Sequence, residues 1–500
     1  MIDFVLAGSK YLIIILFALF TYFSFRAQRD VPDEKKKLTI RTQRVLVFLV
    51  HAFSYLCIFI NVARGNAGSV SLVKVILLYL GQLLYFVAVM CVLPSFVNLS
   101  PGFNNVMCML INLGFIFQVR LSFDKGLKQF LFVVLATVLF VAALILSKKV
   151  KFLYRLTWVY CIVGFALVAI VFIFAKISGG AKVSITIGSI SFQPFEFVKI
   201  LFVLFIAAAF HKANNFKTVL ATALACGAFI VGLVLCTELG TALMLAVVYI
   251  LMLYVATKKF IYIGLGAGAF AAACVAAYKL FSHVRTRVDV WLNPWSDIDN
   301  KGYQITQSLF AIGTGGWLGS GLYNGEPENV PMISNDFVFS AICEELGTVF
   351  GIFLIILCLC FMLMAFRIAI RISKPFYKLT AFGLGAIYGF QVFLTIGGAI
   401  KFIPSTGVNL PFISSGGSSI LASMVIAAII QALYVLSEAA VEKERALIKD
   451  RIIKEYEADP EEEKLAEPDA VEAIRRSPAG RRNIHKGKIT KINPKDIDIY

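Results

Sequence analysis

Charged residues are scarce in this 500-residue chain. Asp, Glu, Lys and Arg make up 15% of the sequence, hydrophobic residues make up 59%, and the mean hydropathy is +0.83. Soluble domains are about a quarter charged, so these proportions exclude a set of soluble domains and also a disordered chain. Long continuous apolar runs such as 130–146 exclude an outer-membrane barrel, whose segments alternate over roughly ten residues. The composition therefore predicts an all-α polytopic membrane protein, since each spanning helix needs about 20 apolar residues.

Residues that build metal and disulfide sites are also few or scattered. The chain has four histidines, and its ten cysteines contain no CxxC pair, which argues against a zinc cluster. Most cysteines lie inside apolar runs, where a thiol usually serves as a small core residue. These cysteines include Cys57, Cys108, Cys161, Cys274, Cys358 and Cys360. We expect neither a disulfide framework nor an organic cofactor.

The net charge of +17 does not indicate a nucleic-acid partner, because of where the basic residues lie. They sit mainly in short loops between apolar runs. The tail after Ser437 is nearly balanced, with acids in 455–472 and bases in 475–495. This distribution is typical of membrane proteins that obey the positive-inside rule, and not of a groove for a polynucleotide.

The apolar runs predict about thirteen spans. They centre near residues 15, 53, 83, 111, 138, 164, 203, 226, 248, 270, 350, 390 and 426. Five of the alternate loops are basic, which supports the count because one wrong span would invert every later loop. These predicted cytoplasmic loops are 26–44, 148–155, 211–217, 257–259 and 366–378. We therefore expect an external N-terminus and a cytoplasmic C-terminus. The first run, 11–25, lacks a small-residue cleavage site, so we expect a spanning helix and no cleaved signal peptide.

The longest predicted outer loop, 282–335, is rich in Gly, Trp, Asn and Pro. Its aromatic residues argue against disorder, and a long loop in a compact protein is usually functional. A second outer loop, 176–194, is rich in Gly and Ser. The tail begins with a charged, helix-like stretch at 442–456, and the Pro-, Glu- and Lys-rich segment after it is not expected to fold.

Four polar clusters lie at the predicted outer ends of spans. In the first, 193–199, Glu196 and Lys199 are one helical turn apart. They could form only a helix-end ion pair, but charges that enter a spanning helix usually mark a functional site. The second, 237–242, is equally compatible with a helix N-cap. The third is the long outer loop, and the fourth is the Pro- and Gly-rich segment 403–419, whose irregular backbone must be covered by protein or water.

Together these clusters suit a reaction on a lipid-linked sugar diphosphate at the outer surface. Arg285 or Arg287 would bind the diphosphate. Asp297 would accept the proton of an acceptor sugar hydroxyl, although it could equally form an Asx-turn in a solvated loop. A divalent cation (Mg²⁺ or Mn²⁺) held by Asp297 or Asp299 would neutralise the leaving group, and no covalent intermediate is required.

The motifs in these clusters resemble those of the shape, elongation, division and sporulation (SEDS) family, which includes FtsW, RodA and SpoVE. The resemblance covers roughly 102–437, and the motifs occur in family order. The matching stretches are QPFEFVK at 193–199, ELGTAL at 238–243, WLNPWSDIDNKGYQITQSLFAIGTGGWLGSGL at 291–322, NDFVFSAICEELG at 335–347 and IPSTGVNLPFISSGGSS at 403–419.

The resemblance implies that the chain polymerises peptidoglycan glycan strands from lipid II at the outer face of a bacterial cytoplasmic membrane. It also implies work with a class B penicillin-binding protein and with other proteins of the division or elongation machinery. The family fold is a ten-helix bundle, which corresponds to the last ten predicted spans. We therefore divide the chain into an N-terminal three-helix extension (1–100), a family domain (101–437) and a cytoplasmic tail (438–500).

The resemblance also assigns residues. Asp297 occupies the place of the family's catalytic Asp, although Ile298 follows it where the family usually has Pro, which leaves Asp299 as a rival. Glu238 stands where the family usually has Asp, and Ser415 where it has Tyr. The predicted substrate-binding residues are Gln193, Glu196, Lys199, Arg285, Arg287, Gln304, Gln307 and Ser418.

Two other functions fit a chain of this kind. A lipid II flippase would also place polar residues inside a bundle, but transporters often contain inverted repeats, and none is evident here. A non-catalytic division scaffold would leave the acidic outer loop and the 193–199 motif unexplained. Clustering of the polar motifs at the outer face favours the enzyme.

Overall fold

The computed structural model describes residues 2–29, 32–65, 70–147, 153–174, 176–178, 181–187, 190–213 and 215–458. Within this part of the chain, twelve helices are long and apolar enough to cross a membrane. The predicted polytopic helical fold is therefore confirmed. The tail beyond residue 458 and most of the loop 148–155 lie outside the described residues.

The helices follow the apolar runs closely. Those before the outer loop are α1 (Ile2–Arg26), α2 (Asp33–Ala63), α3 (Leu72–Val87), α4 (Leu93–Phe96), α5 (Pro101–Leu121), α6 (Phe123–Ser147), α7 (Thr157–Phe174), α8 (Phe195–Lys212), α9 (Phe216–Leu235), α10 (Leu239–Thr257) and α11 (Ile261–Leu280). A π-helical turn, Ala88–Val92, joins α3 to α4, so that the two cross as one element. The later helices are α12 (Ser282–Leu292), α13 (Tyr303–Gly315), α14 (Val338–Arg371), α15 (Pro375–Ala399) and α16 (Gly417–Ala458).

All thirteen predicted span centres fall inside helices. Twelve of those helices meet the requirements of length and composition, and the other is α8. Its 18 residues include Glu196, Lys199 and Lys212, which is a high charge for a lipid-facing helix. Because Lys199 is only 1% exposed, α8 keeps its outer charge inside the protein and not against lipid.

Two predicted loops contain regular structure that the sequence did not predict. Three strands of the loop 176–194 form a small antiparallel sheet in the order β1 (Lys176–Ser178), β2 (Ala181–Ile187) and β3 (Ile190–Phe192). In the outer loop, α12 and α13 flank a 3₁₀ turn at Pro294–Asp297. The loop is thus ordered, as its aromatic residues indicated. The predicted basic loop 26–44 is shorter than expected, because α2 already begins at Asp33.

The three-helix N-terminal part packs on the rest of the bundle through α1 against α14 and α2 against α5. Buried amide and imidazole groups make hydrogen bonds in the α2–α5 interface. Asn105 Nδ2 donates to Gln43 Oε1 at 3.1 Å, and His51 Nδ1 lies 2.7 Å from Asn112 Oδ1. Polar contacts of this kind fix the register between spanning helices, where apolar packing alone is unselective against lipid.

The long helix α14 is broken at Gly347, where φ is 87° and ψ is 164°. The free backbone groups pair with the end of the outer loop. Ser320 N donates to Glu344 O at 2.9 Å, and Thr348 N donates to Gly316 O at 2.9 Å. The break therefore holds the loop onto α14 through backbone hydrogen bonds, which meets the need for paired peptide groups at membrane depth.

Two hydrogen bonds each join a pair of segments that the predicted topology places on the same side of the membrane. Lys10 Nζ donates to Gly319 O at 2.7 Å, and both residues belong to the predicted outer side. Arg367 donates a hydrogen bond to the carbonyl of Gln28, and both belong to the predicted cytoplasmic side. The structure thus pairs these segments as the alternation requires, and their absolute orientation stays a prediction.

Candidate functional site

The irregular segment 403–416 lies between α15 and α16 and is largely buried. Its carbonyls are taken by side chains of the neighbouring helices. Gln391 Nε2 donates to Asn409 O at 2.9 Å, and Thr395 Oγ1 donates to Val408 O at 2.8 Å. The side-chain oxygens of Thr406 and Asn409 are buried and make no hydrogen bond within the described part of the chain. Unpaired buried oxygens of this kind are rare, and they are compatible with a polar ligand.

Glu196 and Lys199 lie beside this segment at the first turn of α8. Their side chains pair, with 2.7 Å between Lys199 Nζ and Glu196 Oε2. Lys199 Nζ also donates to Gln391 Oε1 at 2.9 Å. Because Gln391 in turn holds Asn409, the ion pair is connected to the irregular segment.

Glu238 stands at the start of α10, where Thr237 adopts a left-handed conformation with φ of 63°. Its Oε2 accepts a hydrogen bond from Thr241 Oγ1 at 3.3 Å. Burial raises the pKa of Glu238 to about 7, and the Glu196 charge adds to the rise, whereas Thr241, Arg287 and Lys199 oppose it. Glu238 therefore changes charge near neutral pH.

Arg287 brings the outer loop to the same place. It projects from α12, and its Nη1 donates to Ser405 O at 3.1 Å. Burial lowers the pKa of Arg287, while the charges of Glu238 and Asp336 act in the opposite direction. Burial also raises the pKa of Asp336 to about 6, with Arg287 opposing the rise.

We call Glu196, Lys199, Glu238, Arg287 and Asp336 the central cluster. It brings together parts of all four polar sequence clusters, because Arg287 contacts Ser405 and Asp336 lies close to Gly407. Three carboxyl groups and two cations in a partly buried site can bind an anion and exchange protons. Sequence reasoning did not place Glu238 and Asp336 among the site residues, although both lie in the motifs quoted above.

Two other predicted residues also meet. Gln193 N donates to Ser418 Oγ at 2.9 Å, which joins the entry of α8 to the first turn of α16. Arg285 behaves differently from Arg287: it is exposed, and its Nη2 donates to Lys279 O at 3.2 Å. Of the two candidate arginines, the structure therefore places Arg287 in the central cluster.

Asp297 lies in the 3₁₀ turn of the outer loop and is half-buried. Its Oδ1 accepts from Asn300 Nδ2 at 2.9 Å, and its Oδ2 accepts from Lys301 N at 3.4 Å. Asp299 and Gln304 are exposed, and Gln307 is half-buried. No hydrogen bond or ion pair joins these four residues to the central cluster in the described part of the chain.

The described residues do not fit a metal centre built by the protein alone. Among them, no three His, Cys, Asp or Glu side chains come close enough to hold a metal ion. The oxygens of Asp297 are already engaged within its own turn.

A second buried ion cluster lies between α5, α14 and the outer loop. Arg120 Nε is 2.6 Å from Glu345 Oε1, and Arg120 Nη1 is 2.8 Å from Glu328 Oε1. The guanidinium also lies over the Tyr323 ring, 4.4 Å from its centroid. These contacts satisfy one cation from three directions and fix residues 323–328 against the bundle.

Comparison with known proteins places these features in a family. A family model described as a cell cycle protein of the FtsW, RodA and SpoVE type matches residues 106–438. A peptidoglycan glycosyltransferase RodA of Mycobacterium tuberculosis H37Rv is 39% identical over 267 residues, which are 50% of this chain and 57% of that protein. The RodA of Mycobacterium leprae is 34% identical over 61% of this chain and 68% of that protein. This chain thus spans little more than half the length of the first of these relatives.

Solved structures show the same fold. A chain from a peptidoglycan synthase complex that coordinates polymerization and crosslinking matches with a TM-score of 0.57 and 24% identity, over 67% of this chain and 97% of that chain. The rod shape determining protein RodA of Thermus thermophilus matches with a TM-score of 0.53 and 21% identity, over 68% and 98%. Since the family model covers two thirds of the sequence, from the start of the α5 core to the end of the membrane part of α16, this multi-pass membrane protein belongs to the FtsW/RodA/SpoVE family.

Proposed function

We propose that this protein polymerises peptidoglycan glycan strands from lipid II at the outer face of a bacterial cytoplasmic membrane. The observation that carries the proposal is the central cluster. Residues from α8, the entry of α10, α12 and the segment before α14 meet near the irregular segment 403–416, and all of them lie within the stretch that the family model matches.

Arg287 is the proposed ligand for the diphosphate of the donor. Its guanidinium uses one donor on Ser405 O and has others available, in a site where burial raises the pKa of Glu238 and of Asp336. A planar guanidinium matches diphosphate oxygens in a bidentate manner. Lys199, which is held by Glu196 and Gln391, adds positive potential without being exposed to lipid.

Asp297 is the proposed general base. The acceptor hydroxyl oxygen forms a bond to the anomeric carbon of the donor, the bond from that carbon to the diphosphate oxygen breaks, and the proton passes to the carboxylate of Asp297. Its position on an ordered, half-buried turn at the protein surface supports access by a bulky glycan. A divalent cation, bound mainly by the diphosphate, remains part of the proposal, but no step above requires it.

The proposed partner is a class B penicillin-binding protein, which crosslinks the strands that this protein makes. The likeness to a chain from a synthase complex supports this, because that complex joins polymerization to crosslinking. Further partners would come from the division or elongation machinery.

The purified full-length chain, its partner and lipid II test the proposal. With the transpeptidase blocked by penicillin, we expect linear polymer on a gel. Asp297→Asn keeps the shape and the contact with Asn300 but loses the base, so polymerisation should fall by about 100-fold or more. Asp299→Asn is the matched control and should stay within about twofold of the unmodified protein.

Two outcomes contradict these assignments. Normal polymer from the Asp297 variant, or its loss from the Asp299 variant alone, removes Asp297 as the base. If the protein moves lipid II across vesicle membranes and forms no polymer, it is a flippase and not a glycosyltransferase.

A further inference from the structure

A cavity that contains no residue of the central cluster lies at the ends of α1 and α14, which the topology predicts to be cytoplasmic. It is a cavity of about 90 Å³, lined by the end of α1, the start of α2, the start of α5 and the end of α14. The cavity lies at the boundary between the N-terminal helices and the family domain. Nothing in the proposed polymerisation uses it.

The cavity is basic. Arg29, Lys36, Arg367 and Arg371 line it, and no Asp or Glu is among its lining residues. The four cations come from three parts of the chain, namely the segment after α1, the start of α2 and the end of α14, so the fold of the bundle brings them together. Like charges that converge in a concavity repel one another and attract an anion.

The floor of the cavity is apolar. Ile40, Phe103, Met364 and Ile368 line it and are each at most 9% exposed. A basic rim over an apolar floor fits a molecule with a phosphate at one end and hydrocarbon at the other. A soluble phosphate would gain nothing from that floor, whereas the glycerol and first methylenes of a lipid would cover it.

The site is also placed where lipid headgroups lie. It is formed at helix ends, and one hydrogen bond, from Arg367 to the carbonyl of Gln28, already ties the end of α14 to the end of α1. Basic pockets between spanning helices at the cytoplasmic interface recognise acidic lipid headgroups.

We propose that this cavity binds the phosphate headgroup of an anionic phospholipid, with the acyl chains running along the bundle. The bound lipid bridges Arg29 and Lys36 of the N-terminal helices to the end of α14. It therefore makes the docking of the N-terminal helices sensitive to the anionic lipid content of the membrane. The proposal is independent of the polymerase activity.

The test uses the full-length chain, purified in a mild non-ionic detergent and mixed with micelles that contain phosphatidylglycerol or phosphatidylcholine. We expect the unfolding midpoint to rise with phosphatidylglycerol only, and mass spectrometry to show about one phosphatidylglycerol retained per chain, as one site requires. The pocket variant is Arg29→Gln, Lys36→Gln and Arg371→Gln. Arg367 is left in place because it holds Gln28.

The matched control variant is Lys35→Gln, Lys37→Gln and Arg41→Gln. These three residues are exposed on the same part of α2, and none lines the cavity. Both variants lose the same charge, so general attraction to anionic micelles falls equally. We expect half-saturation by phosphatidylglycerol to need at least about tenfold more lipid in the pocket variant and less than about twofold more in the control, since each Lys or Arg near an anionic headgroup contributes about fivefold.

Three results would overturn the proposal. Equal losses in both variants would mean general electrostatic attraction only. Stabilisation by inorganic phosphate or glycerol 3-phosphate through the same residues would make the ligand a soluble phosphate compound. If the pocket variant fails to fold, the unmodified chain still decides the matter, because absence of retained phosphatidylglycerol would exclude the site.

Discussion

At the scale of single residues, Lys199 places a charged side chain in a buried position, where the charge needs polar partners. Its side chain is 1% exposed. Its Nζ lies 2.7 Å from Glu196 Oε2 and donates a hydrogen bond to Gln391 Oε1 at 2.9 Å. Removing one partner of a buried pair costs about 3–5 kcal/mol, because the other charge is left uncompensated. Removing both would be cheap only if the two residues served each other and nothing else.

We therefore expect Lys199→Met and Glu196→Gln each to reduce polymerisation at least about tenfold, which corresponds to about 1.4 kcal/mol. The protein should still accumulate in membranes. The double variant should stay impaired, because Gln391 and Glu238 also depend on Lys199. Lys212→Met, at the exposed other end of α8, is the control and should be silent. Activity restored in the double variant would reduce the pair to a helix-end salt bridge.

The acidity of Glu238 gives a prediction about pH. Its carboxyl group is mostly neutral below its pKa of about 7 and negative above it. The negative form attracts Arg287 and so competes with the diphosphate for the guanidinium. We expect the KM for lipid II to rise as the pH passes upward through about 7, and Glu238→Gln to flatten that rise. Steady-state kinetics between pH 6 and 8.5 measure this, and an unchanged profile in the Gln variant would assign the step to another group.

The sequence predicted part of this site and missed part of it. The pairing of Glu196 with Lys199 follows from helical spacing, and the structure confirms it. The meeting of Glu238, Arg287 and Asp336 does not follow from any local pattern. It depends on how α10, α12 and the start of α14 come together, so the acidic residue before α10 looked like an ordinary N-terminal helix residue.

At the scale of elements, the break in α14 depends on a glycine. Gly347 has φ of 87° and ψ of 164°, a region that is almost confined to glycine. A Cβ at this position would lie 2.4 Å from Trp317 O. The backbone of α14 then pairs with residues 316–321, so the break and the outer loop support each other.

We expect Gly347→Ala to destabilise the protein by about 1–3 kcal/mol and to lower the unfolding midpoint in detergent. Gly268→Ala on α11 is the matched control. A Cβ there meets no atom within 4 Å, and the backbone is helical, so stability should be unchanged or slightly higher. An equal midpoint for both variants would show that the break tolerates a side chain.

The prediction of secondary structure succeeded where apolar composition alone determines a helix. It failed where tertiary contacts determine the structure of a segment. Each apolar run became a helix, including α8, whose Lys199 is buried by neighbouring helices. The small sheet at 176–192 and the helices α12 and α13 were not predicted. In β2 the alternation of apolar and polar residues over 183–187 is a strand signal that the prediction missed, whereas α12 and α13 are short segments in which polar residues interrupt the apolar positions.

At the scale of the whole molecule, the predicted topology rests on one rule, applied to the loops between thirteen predicted spans. The positive-inside rule makes alternate loops cytoplasmic. The structure adds an independent constraint, because Lys10 contacts Gly319 and Gln28 contacts Arg367. Each contact joins segments that are separated by an even number of predicted crossings, which an error of one span between them would forbid.

These contacts leave one choice open, namely which face is outside, and cysteine labelling decides it. A reporter at Asp3→Cys and one at Asn324→Cys, in the exposed part of the outer loop, should both react with an impermeant maleimide in intact cells. A reporter at Lys37→Cys should react only after permeabilisation. Background from Cys91 and Cys274, the two exposed native cysteines among the described residues, is measured in the unmodified chain.

The pattern of labelling separates two kinds of error. If all three reporters invert, the orientation is wrong, while the pairing of segments across the bundle stands. The lipid pocket would then face the outer leaflet. If Asp3→Cys and Asn324→Cys differ from each other, the contact between Lys10 and Gly319 cannot exist in the membrane. In that case the predicted number of spans between α1 and the outer loop is wrong. The location of the central cluster at the outer face is then wrong as well, because both predictions depend on the same alternation of loops.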